Sequence, residues 1–322
     1  MTAEPAPSLP RAAPSPEAPV ARRGAQQPFA PLDYALYAIT VVAWSLSWYA
    51  LAVQTRGEVS IEMSLVYRFL IAAAIMFAWA ALAGHPLRFS WRRHALFLGM
   101  GVCIFSMNFN LFYHASAHLV SGLLAVVFSL ASVINIALAW ALSRERPSAG
   151  VLLGAGLGLT GIALLFAPTL AAQAGALDRG ALLGLALCVV GTTLFSTGNL
   201  LSARLQRERV PVVGASAWGM LYGALVSLVL ALLSGEAVTF DASADYVVSL
   251  LWLAVVSTVA AFASYLTLIG RVGAGRAGYA TVVFPVFALL VSTLVEGYAW
   301  TIPAALGLVL VLTGNVFVVR GR

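Results

Sequence analysis

Residues 277–285 read AGYATVVFP and residues 121–129 read SGLLAVVFS, so one short apolar pattern occurs twice in the chain. A second pattern follows each copy: G-x5-T-G covers residues 154–161 and again residues 307–314. The chain therefore contains an internal repeat. The number of apolar segments in each copy decides the architecture.

Ten apolar stretches fill the chain, each about 20 residues long, which is the length of a helix that crosses a bilayer. They lie near residues 32–53, 60–82, 93–113, 119–143, 147–168, 179–201, 211–234, 245–269, 276–295 and 299–320. Five spans fall in each copy, and an odd number makes the second copy enter the membrane from the opposite side. The sequence predicts an all-α polytopic membrane protein with ten transmembrane helices, arranged as two five-helix inverted repeats over residues 32–169 and 177–320.

The composition agrees with a membrane protein. Hydrophobic residues make up 61% of the chain and charged residues 9%, against roughly 25% charge in soluble domains. The net charge of +6 comes from 18 arginines with no lysine. These arginines are spread through short loops, whereas a nucleic-acid-binding protein would cluster them on a wet domain. The lipid bilayer is the predicted partner, and no nucleic acid is expected.

The arginines also predict the orientation, because cytoplasmic loops of membrane proteins are enriched in positive charge. With the amino terminus inside, 15 of the 18 arginines fall in inner segments; Arg56 and Arg179 are outer, and Arg68 lies within a span. We therefore expect both termini to be cytoplasmic. Residues 1–31 hold eight of the 14 prolines, which predicts a disordered cytoplasmic tail.

Several local features resemble the EamA-type carriers of the drug/metabolite transporter superfamily over residues 32–320. Besides the two repeated patterns, the features are Arg68-Phe69 in the second span, Glu145-Arg146 closing the fourth, Pro285 in the ninth and Glu296 at its end. Within the superfamily the chain looks most like the YddG-type exporters of aromatic amino acids. The resemblance implies a bacterial inner-membrane protein that works by alternating access and holds its substrate in a central cavity between the halves.

No enzymatic constellation is visible in the sequence. The chain has no HExxH, no GxGxxG after a strand, and no lysine for a phosphate-binding loop. His114 and His118 share a short outer turn without a third ligand, and Cys103 and Cys188 are isolated within spans. We therefore expect no enzyme, no cofactor and no metal site.

Polar and aromatic side chains inside the spans are the candidates for substrate binding. Trp44 and Trp48 lie one helical turn apart on a shared face, too deep for an interfacial belt. Residues 41–48 (VVAWSLSW) correspond to residues 189–196 (VVGTTLFS) in the repeat, so the two stripes should face each other. The predicted substrate-binding residues are Trp44, Trp48, Tyr49, Asn108, Asn110, Tyr113, Thr192, Ser196, Asn199, Ser257, Ser264, Tyr265 and Tyr279.

Two interpretations compete for these residues. Serine, threonine and glycine in membrane helices commonly serve close packing, which is the favoured interpretation of each single Ser or Thr, and of the glycines in the G-x5-T-G patterns. For Arg68, about 12 Å from the outer end of its helix, snorkelling to the surface is favoured. The alternative is a cation that lines the cavity and meets a substrate carboxylate.

Such a cavity suits small, largely neutral organic solutes, with amino acids, aromatic ones first, as the favoured class. Phosphate esters and nucleotide sugars are disfavoured because only one arginine lies in the spans. Two alternatives remain: a broad drug or metabolite exporter, and a non-transporting membrane sensor or scaffold.

Two further expectations concern mechanism. Pro285 lies in the middle of its span, where it removes a helix hydrogen bond, so we expect a bend that serves as part of a gate. No Asp, Glu or His lies deep in a span, so we expect transport without carboxylate-based proton coupling. Glu62 or His114 reaching the cavity through a wet path is the counter-interpretation.

Overall fold

The computed structural model describes residues 29–143, 148–171, 178–272, 277 and 279–320. Regular secondary structure in these residues is entirely helical. The predicted tail up to residue 28 and the Glu145-Arg146 pair lie outside the described residues. The helices are α1 (Pro31–Gln54), α2 (Ile61–Leu82), α3 (Trp91–Ala115), α4 (Ser121–Phe128), α5 (Ala131–Ser143), α6 (Ala149–Ala171), α7 (Arg179–Arg207), α8 (Val212–Leu233), α9 (residues 244–272), α10 (Tyr279–Val295) and α11 (Ile302–Arg320).

Seven helices among the described residues are long and apolar enough to cross a membrane: α1, α2, α3, α6, α7, α8 and α9. The three other predicted spans coincide with shorter apolar helices, Ser121–Asn135, Tyr279–Val295 and Ile302–Val318. Large apolar side chains such as Leu152, Leu159, Val190 and Val229 are exposed on the outside of the bundle, where lipid would cover them. The chain is a multi-pass membrane protein.

The helix starts follow from local sequence. The Asp178 carboxylate accepts hydrogen bonds from the backbone N–H groups of Gly180 and Ala181, 2.8 and 3.1 Å away, which caps α7. Pro211 occupies the N-cap of α8. Pro168, predicted at the end of a span, instead lies inside α6, which continues to residue 171.

The fourth predicted span is interrupted. It forms α4 and α5, with Ser129 as the C-cap of α4 and its hydroxyl donating to the Val126 carbonyl at 2.6 Å. The repeat-equivalent α10 runs through Pro285 without a break in its helix. The interruption thus falls in the copy that lacks the proline, because a serine hydroxyl that bonds the preceding turn competes with the backbone ladder.

Helices α3 and α9 each contain a widened π-helical segment, Gly101–Ser106 and Trp252–Ala260. In α9 the Thr258 hydroxyl donates to the Leu253 carbonyl five residues earlier, at 2.6 Å. Such segments often accompany functional sites because they rotate the side chains that follow them.

Glycines let α6 and α11 touch along their length. A Cβ atom at Gly154 would lie 2.6 Å from the Gly314 carbonyl oxygen, and one at Gly161 would lie 2.6 Å from that of Gly307. The earlier glycine of α6 contacts the later glycine of α11, and the later one contacts the earlier, so the two helices run antiparallel. The prediction that these glycines serve packing is confirmed. The remaining bundle places α2 on α8, α3 on α7 and α8, and α1 on α9 and α10.

Candidate functional site

Aromatic rings from several helices meet around Trp48, which is buried. Its ring lies 5.1 Å from the Phe112 ring of α3 and 5.3 Å from the Phe128 ring at the end of α4, measured between centroids. Phe128 also contacts Phe195 of α7, with centroids 4.7 Å apart. These tilted and edge-to-face geometries are those that aromatic pairs prefer.

Trp44 extends this group toward the other half of the chain. Its ring lies 5.1 Å from Tyr265 of α9 and 6.2 Å from Phe284 of α10. Phe284 in turn lies 6.4 Å from Phe128, which closes the group. We call Trp44, Trp48, Phe112, Phe128, Phe195, Tyr265 and Phe284 the aromatic cluster. Trp44 is half-buried.

A second group, of polar side chains, lies beside the aromatic cluster. The Tyr113 hydroxyl, one residue after Phe112, donates to Gln54 Oε1. The Arg68 guanidinium lies next to that hydroxyl and donates from Nη2 to Thr258 Oγ1 at 3.3 Å. We call Gln54, Arg68, Tyr113 and Thr258 the polar cluster. It joins α1, α2, α3 and the π-helical segment of α9.

Arg68 is buried within the protein, with 3% of its surface exposed. Its guanidinium carbon lies 4.2 Å from the Phe109 ring centroid and 5.0 Å from that of Phe69. The favoured prediction of snorkelling was therefore wrong. The side chain stays inside because two aromatic faces attract the cation and Thr258 accepts from it.

The two predicted asparagines of α3 have different surroundings. Asn110 donates from Nδ2 to Glu62 Oε1 at 2.8 Å, so it links α3 to α2. Asn108 donates to the Ile104 carbonyl of its own helix at 3.2 Å, and its Oδ1 is buried without a partner among the described residues. Asn108 therefore retains an unused acceptor.

The predicted stripe on α7 makes local contacts. Thr192 is buried and donates to the Cys188 carbonyl of its own helix at 2.7 Å. Ser196, also buried, donates to the Ala131 carbonyl of α5 at 3.5 Å, and Asn199 is half-buried. Phe195, between these positions, reaches the aromatic cluster. Ser196 packs α7 against α5, and the Phe195 ring brings α7 into contact with Phe128 of α4.

The predicted residues of α9 and α10 lie on both sides of Tyr265. Ser257 and Ser264 are buried, and Tyr279 is the first residue of α10. Pro285 is buried inside α10. The preceding carbonyl, that of Phe284, accepts a hydrogen bond from the Ser45 hydroxyl of α1 at 3.0 Å, so α1 is fastened to α10 next to the proline.

Tyr49 lies apart from both clusters. It lines an open cleft of about 550 Å³ between α1 and the start of α9, together with Asp241, Asp245 and Trp252. The Arg56 guanidinium sits 5.7 Å from the Tyr49 ring centroid. The structure therefore separates Tyr49 from the other predicted aromatic residues.

The predicted substrate-binding set lacked six residues of these clusters: Gln54, Phe112, Phe128, Phe195, Thr258 and Phe284. Phenylalanine in a membrane span carries no polar signal, so four of them were indistinguishable from lipid-facing residues. The available signal was the repeat itself, since Phe128 and Phe284 hold the same place in SGLLAVVFS and AGYATVVFP.

Acidic residues at the ends of the spans are held by protein partners. Asp33 is buried at the start of α1 and forms an ion pair with Arg271 of α9. The Glu296 carboxylate accepts hydrogen bonds from the backbone N–H and the hydroxyl of Ser121, at 3.0 and 2.6 Å. An acid at the start of α4 is stabilised by the helix dipole, so Glu296 fastens α10 to α4.

Comparison with known proteins shows which family of proteins this chain resembles. A family model described as the EamA-like transporter family matches residues 33–167 and 182–320. Two relatives, each named "Probable amino-acid metabolite efflux pump", come from Escherichia coli (strain K12) and Salmonella typhimurium. They are 26% and 25% identical over 303 residues, which cover 90% of this chain and 96% of theirs. A solved crystal structure matches with a TM-score of 0.61 at 20% identity, covering 88% of this chain and 95% of the other; this likeness concerns the fold alone.

Proposed function

The chain belongs to the EamA-like transporter family, and from that premise we propose that it exports small amino-acid-like solutes, aromatic ones included, by alternating access. It is a membrane transporter of small metabolites by its family. The amino-acid preference is our proposal, supported by the relatives named as amino-acid metabolite efflux pumps and by the chemistry of the two clusters.

The aromatic cluster is the observation that carries the proposal. It gathers rings from six helices of both halves of the chain, and Trp44 within it is half-buried. Accessible aromatic faces can stack on a ring or cover an aliphatic side chain. The adjacent polar cluster supplies hydrogen bonds for the polar end of the same solute.

Alternating access requires two halves that can exchange roles, and the packing supports this. Counting α4 and α5 as one span, α6 and α11 are the fifth spans of the two copies, and they meet antiparallel through equivalent glycines. The third span of the first copy, α3, packs against α7 and α8. Its equivalent, α9, packs against α1 and α2. Both third spans also carry a π-helical segment. Each third span therefore packs against the first two spans of the other copy, which is the packing expected of ten helices in two inverted five-helix repeats.

We assign the site as follows. The aromatic cluster and the polar cluster together with Asn108 contact the solute, and Pro285 with its Ser45 contact forms part of the gate. The other predicted residues lie outside the two clusters, and we assign them to the cavity wall: Tyr49, Asn110, Thr192, Ser196, Asn199, Ser257, Ser264 and Tyr279. The protein resides in the bacterial inner membrane with both termini in the cytoplasm, and it works without carboxylate-based proton coupling.

The test is transport by the purified protein in liposomes. A panel of labelled amino acids is offered, with a phosphate ester and a cationic dye as contrasts. We expect aromatic amino acids to move faster than through protein-free liposomes, and the phosphate ester not to move. Preferred movement of the dye would instead indicate a broad drug exporter, and movement of no compound would argue for a sensor or scaffold.

A further inference from the structure

Arg68 presents buried hydrogen-bond donors that no protein atom uses. Among the described residues, its Nε and Nη1 have no acceptor, while the guanidinium is in contact with the Tyr113 hydroxyl and donates from Nη2 to the Thr258 hydroxyl. An unpaired buried charge destabilises a fold by several kcal/mol. Aromatic faces offset only part of that, since each contributes about 1–2 kcal/mol. Folding alone therefore gives no reason for this cation to lie here.

Gln54 adds another unused donor to the same cluster. Its side chain is 1% exposed, its Oε1 accepts from Tyr113, and its Nε2 has no partner in the part of the chain that the structure describes. The polar cluster thus holds three unused nitrogen donors. A group with only donors left over and a net positive charge is complementary to an anion.

No protein carboxylate in the described ranges forms an ion pair with Arg68. Glu62, on the same helix, directs Oε1 to Asn110. None of these protein carboxylates therefore pairs with the Arg68 guanidinium. A planar carboxylate fits a guanidinium through paired N–H bonds, and Arg68 is the one arginine well inside the spans.

We propose that Arg68 and Gln54 form a subsite that binds the carboxylate of the transported solute. This inference rests on the proposed transport function and narrows it to carboxylate-bearing solutes. Gln54 follows Trp48 by six residues on α1, about 9 Å along the helix axis, so one solute can place its carboxylate on the polar cluster and its ring on the aromatic cluster.

The first experiment measures binding, as ligand-induced thermal stabilisation of the purified protein in detergent. The probes share one ring and differ in the charged group: tryptophan, indole-3-propionate, tryptophan amide and tryptamine. We expect tryptophan and indole-3-propionate to bind at least about tenfold more tightly than the two compounds without a carboxylate. Equal binding of all four would overturn the carboxylate subsite.

The second experiment uses two variants. Arg68→Gln removes the charge, and Gln54→Glu supplies a protein carboxylate next to the guanidinium. We expect Gln54→Glu to fold at least as stably as the wild type and to lose the preference for carboxylates, because its own carboxylate occupies the subsite. An undiminished preference in Gln54→Glu, or in a folded Arg68→Gln, would contradict the proposal.

Transport in liposomes separates this inference from the proposed function. If the wild type moves tryptophan and tryptamine equally well, the transporter stands and the carboxylate subsite fails. If it binds the carboxylate probes selectively but moves none of them, the subsite stands as a binding site and the transport function fails.

Discussion

The rings of Phe128 and Phe284 lie 6.4 Å apart at the centre of the bundle, and they are the same residue of the repeated pattern in its two copies. One ends α4, and the other precedes Pro285 in α10. In the proposed arrangement of two inverted repeats, two equivalent residues in contact lie near the pseudo-twofold axis. The aromatic cluster would then surround that axis, where a solute can be reached from either side.

Replacing Trp44 by Ala should weaken transport of aromatic amino acids more than transport of small ones. Trp44 is half-buried, and one stacked pair contributes about 1 kcal/mol, or roughly a fivefold change in affinity. Initial uptake rates of labelled tryptophan and alanine in liposomes give the comparison. A uniform loss for both would indicate a packing role.

Trp48→Ala and Trp91→Ala are the matched comparisons. Trp48 is enclosed by Phe112 and Phe128. Its truncation should therefore lower the free energy of unfolding by about 3–5 kcal/mol, as for other buried Trp residues. Trp91 is 76% exposed, so its replacement should change neither uptake nor stability.

Replacing Gly161 by Ala should destabilise the protein. The new methyl group would lie 2.6 Å from the Gly307 carbonyl oxygen, so α6 and α11 must separate, at a cost of about 1–3 kcal/mol. Thermal unfolding in detergent measures this. At Gly156 of the same helix, a Cβ atom would have no neighbouring atom within 4 Å among the described residues, so Gly156→Ala should be neutral or slightly stabilising. Equal melting temperatures for both variants would contradict the close helix contact.

The glycine contacts were predictable because small residues repeated at fixed spacing have few other uses in a membrane helix. Trp44 and Trp48 were likewise separable from an interfacial belt by counting residues from the span ends. Depth and helical face are both properties of one helix, and sequence periodicity reports them directly.

Contacts between helices were not predictable in the same way. The depth of Arg68 is compatible with snorkelling, and the faces of Phe69 and Phe109 that hold it inside become visible only when α2 and α3 are packed. Gln54 was missed because its partner Tyr113 is 59 residues away. The helix break at Ser129 was not predicted because no proline occurs there.

Pro285→Ala should reduce transport per molecule more than it reduces the amount of folded protein. Alanine restores a backbone N–H and a regular helix ladder, which should stiffen α10 next to the Ser45 contact and hinder the gate. Uptake normalised to protein amount is the measurement. Pro303, the second residue of α11, is the control, because a missing N–H has little effect there. Unchanged transport per molecule would make Pro285 merely structural.

Reporter fusions after Arg209 and after Arg322 should both report the cytoplasm. Arg209 lies in the turn between α7 and α8, within one of the arginine-rich segments that predict the inner side. Four predicted spans, an even number, separate the two positions, so both must lie on the same side of the membrane. A periplasmic signal from either fusion would contradict the ten-span arrangement with cytoplasmic termini.

Three acidic residues near the ends of the spans are engaged by protein partners, which bears on proton coupling. Asp33 pairs with Arg271, Glu296 binds Ser121, and Glu62 binds Asn110. Glu62 is the closest to the substrate site, because Asn110 precedes Tyr113 of the polar cluster by one turn. A proton carrier must bind and release its proton during each transport cycle. Among these three acids, Glu62 is therefore the one to test as a proton carrier.

We expect none. The Asn110 amide N–H donates to a carboxylate oxygen of Glu62 at 2.8 Å, so this side chain is held by a protein partner. In liposomes with an imposed pH gradient, labelled tryptophan should therefore equilibrate without accumulating, at the same final level as with equal pH on both sides. Glu62→Gln, which keeps an acceptor oxygen for Asn110, should transport at the wild-type rate. Accumulation against the concentration gradient that disappears in Glu62→Gln would identify Glu62 as the proton carrier and end the facilitator proposal.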